Sequence, residues 1–91
     1  FSHIEIGIEK SNDGKILTVT LRGAATFIKI PKLAAVLDAI PSQTETHIRF
    51  DELRYIDHAS LDFIKNWKKQ HEITGGKVVI EWESLHERYN E

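Results

Sequence analysis

The sequence predicts a small α/β domain, a mixed sheet of about four strands with helices packed on it. Three observations carry that expectation. Alternating apolar runs near residues 3–9 and 15–22 read as paired strands. Two stretches of helical apolar spacing follow, at 31–40 and 58–74. Each is succeeded by a short β-rich run, at 46–51 and 77–82. The order is β-β-α-β-α-β, with a short final helix proposed at 84–90.

In the first run Ile4, Ile6 and Ile8 share one side, with Glu5, Gly7 and Glu9 on the other. Ser11-Asn12-Asp13-Gly14 is a turn, and Gly14 tolerates a positive φ. Residues 15–22, Lys-Ile-Leu-Thr-Val-Thr-Leu-Arg, are β-rich and suit a central strand. The two runs are expected to form an antiparallel hairpin. Pro31 fits the first turn of a helix, where its missing N–H costs nothing. Leu33, Val36, Leu37 and Ile40 give that helix one apolar stripe, and Pro41 stops it. Ile48 and Phe50 share one face of the third strand.

Asp57 is placed as the N-cap of the longest helix, 58–74. A carboxylate there accepts from free backbone N–H groups. Ala59, Phe63, Ile64 and Trp67 are expected on its buried side, and Lys65, Lys68, Lys69 and Gln70 on its polar side. Gly75-Gly76 ends it, with one glycine in the left-handed cap. Residues 77–82 form the fourth strand, and Ser84 caps the last helix, which packs through Leu85 and Tyr89. Strands joined through helices run parallel, with right-handed crossovers.

Composition excludes several functions. The 91 residues carry 12 Lys+Arg and 14 Asp+Glu, so no strong overall field favours nucleic acid or an anionic membrane. There is no cysteine, which removes disulfides, Cys-based zinc sites and thiol chemistry. His71-Glu72 and His86-Glu87 each start like a zinc-protease helix motif, but the second histidine is missing. The plain reading is two solvated helix-end histidines. No Gly-rich phosphate loop is present. Asp57, His58 and Ser60 superficially suggest a relay, yet they sit at one helix start, where their side chains diverge. The aromatic residues are scattered without a basic stripe between them, so core and rim packing explains them better than nucleobase stacking. No cofactor, metal or catalytic residue is expected. The chain begins at Phe1 and contains no methionine, so it is expected to be a piece of a longer protein.

Residues 53–61, Leu-Arg-Tyr-Ile-Asp-His-Ala-Ser-Leu, stand out. A strand runs into an acidic cap and then small residues at a helix start. In open α/β sheets, ligands and partners gather at this carboxyl end of the strands. Tyr55, Asp57, His58, Ala59 and Ser60 are therefore the candidate partner-binding or regulatory loop.

Together with Gly23-Ala-Ala-Thr-Phe27, Tyr55-Ile-Asp-His-Ala-Ser-Leu61 and Gly75-Gly76-Lys-Val-Val-Ile80, the order of elements resembles a STAS domain over nearly the whole chain. This module is shared by anti-sigma factor antagonists and the cytoplasmic tails of SulP-type inorganic anion transporters. The family loop pattern is Asp-Ser-Ser/Thr-Gly/Ala-Leu, and Asp57 and Leu61 fall on its ends. The serine phosphorylated in the antagonists corresponds here to Ala59, which has no hydroxyl, so no phosphorylation site is expected. Ser60 lies one residue on, where the family has a small residue. The resemblance points to the transporter branch, and the Phe27 region is similar to Gly-x-x-x-Phe of those tails. It implies a non-catalytic regulatory and assembly domain of a sulfate or related anion transporter, at the cytoplasmic face of the inner membrane. The implied partners are the transporter's own transmembrane domain and a cytosolic regulatory protein. The alternative is a free-standing anti-sigma factor antagonist-like regulator.

Overall fold

The computed structural model describes residues 3–81. The elements are β1 (Ile4–Lys10), β2 (Ile16–Ala25), α1 (Ile30–Leu37), β3 (Glu45–Ile56), α2 (His58–Ile73) and β4 (Lys77–Ile80). One 3₁₀ turn, Phe27–Lys29, leads into α1. The four strands lie in sequence order in a single sheet. β1 pairs antiparallel with β2, and β2–β3 and β3–β4 are parallel. The small mixed α/β fold expected from the sequence is the one observed.

The hairpin forms because the 11–14 turn closes on itself. Gly14 adopts φ 73°, its N–H donates to the Ser11 carbonyl at 2.9 Å, and the Ser11 hydroxyl donates to Asp13 at 2.6 Å. Both later crossovers go in the same direction across the sheet. Right-handed connections then put both helices on one face. Leu33 and Leu37 of α1 and Ile64 and Trp67 of α2 accordingly share one core with Leu17, Val19, Leu21, Ile48 and Phe50 of the strands. Trp67 joins the two helices directly. Its indole N–H donates at 3.1 Å to the Leu37 carbonyl at the end of α1, which also accepts from the Ile40 N–H.

The opposite face of the sheet carries charge. Arg22 pairs with Glu52 at 2.8 Å, Arg49 with Asp51 at 2.7 Å, and His47 meets Glu45 at 2.6 Å. Half-exposed pairs of this kind contribute little stability each.

Several expectations need correction. The third strand runs from Glu45 to Ile56, not 46–51. Its pairing with β2 slips between Thr20 and Arg22 and again between Gly23 and Ala24. These irregularities break the alternation that marks a strand in sequence. β2 continues to Ala25, so Gly23 lies within it, at φ 91°. A side chain at Gly23 would run into the His3 carbonyl oxygen. α1 ends at Leu37, short of Pro41. Ile8 is exposed although it shares its side of β1 with the buried Ile4. β4 is described to Ile80. Trp82 and the proposed helix 84–90 fall outside the described residues.

Candidate functional site

β2 and β3 end side by side, with Ala24 opposite Tyr55 and Ala25 opposite Ile56. The chain leaves β2 through Thr26 and Phe27, and leaves β3 through Asp57 into α2. Asp57 joins the two exits. Its backbone is extended, at φ −91° and ψ 169°, as an N-cap requires. Oδ1 accepts from the Ser60 N–H at 2.8 Å, and Oδ2 from the Phe27 N–H at 2.7 Å. Its own N–H donates to the Ala25 carbonyl at 3.0 Å. One side chain thus caps the long helix and ties down the neighbouring loop.

Burial pushes the Asp57 carboxyl up. The facing Ser60 hydroxyl and the N–H groups of Ser60 and Phe27 outweigh it, so the group titrates below the ordinary aspartate value. It is a carboxylate at neutral pH, with both oxygens occupied by backbone donors.

The loop fixed in this way displays apolar side chains. Phe27 is 64% exposed, Ile28 69% and Tyr55 55%. These three account for half of the six large exposed hydrophobics among the described residues. His58 and Ala59 are exposed beside them at the start of α2.

The expectation that Ala59 lies on the buried side of α2 needs correction. Ala59 faces solvent, and Ser60 is the buried member of the first turn, at 1% exposure. Starting from Asp57, the core side of α2 passes through Ser60, Ile64, Trp67 and His71. Ala59 lies a step off that line. The Ser60 hydroxyl is enclosed; it faces the Asp57 carboxylate but is not within hydrogen-bonding geometry of any described group. Among Asp57, His58 and Ser60, the carboxylate is engaged by backbone donors and faces the enclosed Ser60 hydroxyl, and the imidazole is exposed.

His71 was expected in solvent and is instead buried. Its Nε2–H donates to the Thr44 carbonyl at 2.7 Å, and its ring stacks on Trp67 with centroids 4.8 Å apart. Gly76 lies against the same ring, and a side chain there would collide with it. The signal was present in the spacing, since Ile64, Trp67 and His71 fall on one helical face. His86 lies outside the described residues. Among the described residues, no group of three or more His, Asp or Glu side chains is placed to hold a metal. None of their helices is long and apolar enough to cross a membrane.

No protein-family profile and no curated protein matches the sequence. Solved structures do match the fold. The STAS domain of an antisigma-factor antagonist from Rhodobacter sphaeroides superposes with a TM-score of 0.75 at 14% identity, covering 94% of this chain and 95% of that one. An anti-sigma factor antagonist from Mycobacterium paratuberculosis gives 0.73 at 14% identity, over 92% of this chain and 76% of that one. The structure of Mglu gives 0.73 at 16% identity; 82% of this chain matches only 19% of that much longer one. The fold is thus that of STAS and anti-sigma factor antagonist structures, and it also occurs as a small part of a larger protein.

Proposed function

We propose that this chain is a STAS-type regulatory domain that acts by binding protein rather than by catalysis. The observation that carries this reading is the exposed trio Phe27, Ile28 and Tyr55, held in place by Asp57. Exposed apolar side chains carried on neighbouring segments at one end of the sheet favour a contact surface over a solvated one. His58 and Ala59 form the rim of that surface.

Within this reading the domain belongs to a SulP-type inorganic anion transporter, on the cytoplasmic side, and docks on the transporter's own membrane domain or on a cytosolic regulator. The free-standing antagonist is the second reading. It is favoured by the near end-to-end match to an antagonist STAS structure. It is disfavoured by the chemistry of the loop. Ala59, at the exposed position, has no hydroxyl to phosphorylate, and the Ser60 hydroxyl is enclosed.

Two measurements test the proposal. In the full-length protein, His58→Glu is expected to change anion uptake and its pH profile at normal expression. Uptake identical to wild type would place the docking surface elsewhere. Incubation with an anti-sigma-type serine kinase is expected to leave the loop unmodified by mass spectrometry. Stoichiometric phosphate on Ser60 would favour the antagonist reading.

A further inference from the structure

At the same end of the sheet, on the β1 side, a groove of about 530 Å³ lies over Gly23. Its walls bring together His3, Glu5, Arg22, Lys32, Glu52 and Arg54, drawn from both faces of the sheet edge. Gly23 keeps the floor bare, because a side chain at that position has no room.

The charges do not cancel. Glu52 accepts from Arg22 through Nε at 2.8 Å, which leaves the terminal guanidinium nitrogens for another acceptor. One of them, Nη1, lies over Gly7, 3.0 Å from where a Cβ would stand, so the absence of a side chain there lets Arg22 lie flat. Lys32 donates to the Ile4 carbonyl at 2.8 Å, a neutral acceptor that leaves its charge uncompensated. Arg54 is exposed and makes no ion pair among the described residues. Three cations and two carboxylates, one of them already engaged, thus line the groove together with His3.

We infer that this groove is a binding site for a phosphate-type oxyanion, free or as a monoester. The guanidinium forks of Arg22 and Arg54 match the paired oxygens of a tetrahedral anion, and Lys32 supplies a point charge from the helix side. Glu5 and Glu52 limit the net attraction, so the affinity is modest and suits sensing a metabolite present at high concentration. The site is separate from the Phe27–Tyr55 ridge and does not rest on the partner reading.

The test is titration of the ¹⁵N-labelled 91-residue chain with inorganic phosphate, at ionic strength held constant with sodium chloride. Saturable shifts are expected at the amides of Glu5, Gly23 and Arg54, with a Kd on the order of 1 mM. Arg54→Gln and Lys32→Gln are each expected to weaken binding about five- to tenfold; Arg54→Gln leaves the melting curve unchanged, whereas Lys32→Gln also gives up the hydrogen bond to the Ile4 carbonyl. Shifts that never saturate, or that sodium chloride alone reproduces, would overturn the inference. So would an Arg54→Gln variant that binds as wild type.

Discussion

The two ends of the parallel strands are built by the same device and used in opposite ways. At the carboxyl end, Asp57 ties the start of α2 to the loop after β2. At the amino end, His71 ties the last turn of α2 to Thr44, just before β3. Each is a single polar side chain that grips backbone across a helix–strand junction. Around Asp57 the apolar groups face outward: Phe27, Ile28 and Tyr55. Around His71 even the polar ring is enclosed, between Trp67 and Gly76. The His71 contact is enclosed, although Ile73 two residues on is exposed, and the Asp57 junction is fixed but left open. A rigid loop with exposed apolar groups retains an incentive to bind, since little ordering is left to lose on association.

The comparison is tested most severely at the sealed end. Trp67→Ala removes the indole, its stack with His71 and its hydrogen bond to Leu37. It is expected to cost about 3–5 kcal/mol in urea unfolding. A loss below 1 kcal/mol would mean that the amino end is not the stable one. Gly76→Ala inserts a methyl group against an enclosed ring and is expected to cost about 1–3 kcal/mol by the same measurement.

Asp57→Ala comes next, at about 0.5–2 kcal/mol. Its effect depends on pH with a definite sign. The folded-state pKa is depressed, so the stabilisation is fully present above the unfolded aspartate value of about 3.9 and is lost as pH falls through the folded value. The wild-type and variant urea midpoints should therefore differ at pH 7 and converge as the pH falls below that window. A difference that persists unchanged in acid would show that the carboxylate is not the source. The smallest effect belongs to the ridge itself. Phe27→Ser and Ile28→Ser are expected to shift stability by no more than about 0.5 kcal/mol, while weakening any partner held there. A large loss of stability would reassign the ridge to the fold.

Which parts were legible in the sequence follows from the same contrast. Local chemistry announces itself: the Asp57 cap, the 11–14 turn, Pro31 at the start of α1 and the Gly75 cap at φ 93° all stand where the residues imply. Long-range pairing does not. The second half of β3, Asp51-Glu-Leu-Arg-Tyr-Ile56, is rich in charge and carries two register shifts, so its alternation is blurred. It is a strand because β2 lies beside it. Facing errors were small rotations with large consequences. A one-residue step on α2 exchanges buried Ser60 for exposed Ala59. His71 was read by its polarity and not by its place on the Trp67 face. Within the candidate site, the aspartate cap and the aromatic Tyr55 could be read from the loop alone. The contribution of Phe27 to the same surface required the β2–β3 pairing, since nothing between residues 27 and 55 links them in sequence.

The strand order also has a kinetic consequence. Every pairing joins consecutive strands, but only β1–β2 closes through a tight turn; β2–β3 and β3–β4 each wait for a helix to cross over. Closing those long loops loses chain entropy before the parallel contacts can compensate, which slows the search relative to a helical bundle of equal size. The hairpin is the local pairing, so docking of β3 against β2 is the expected rate-limiting step. Substitutions at the β2–β3 contact, such as Val19→Ala, should therefore slow refolding in stopped-flow traces, whereas changes on the Phe27 ridge should leave the rate unaltered. The ridge belongs to a loop that is locked only after the sheet has assembled, so it is free to vary without burdening the route by which the molecule folds.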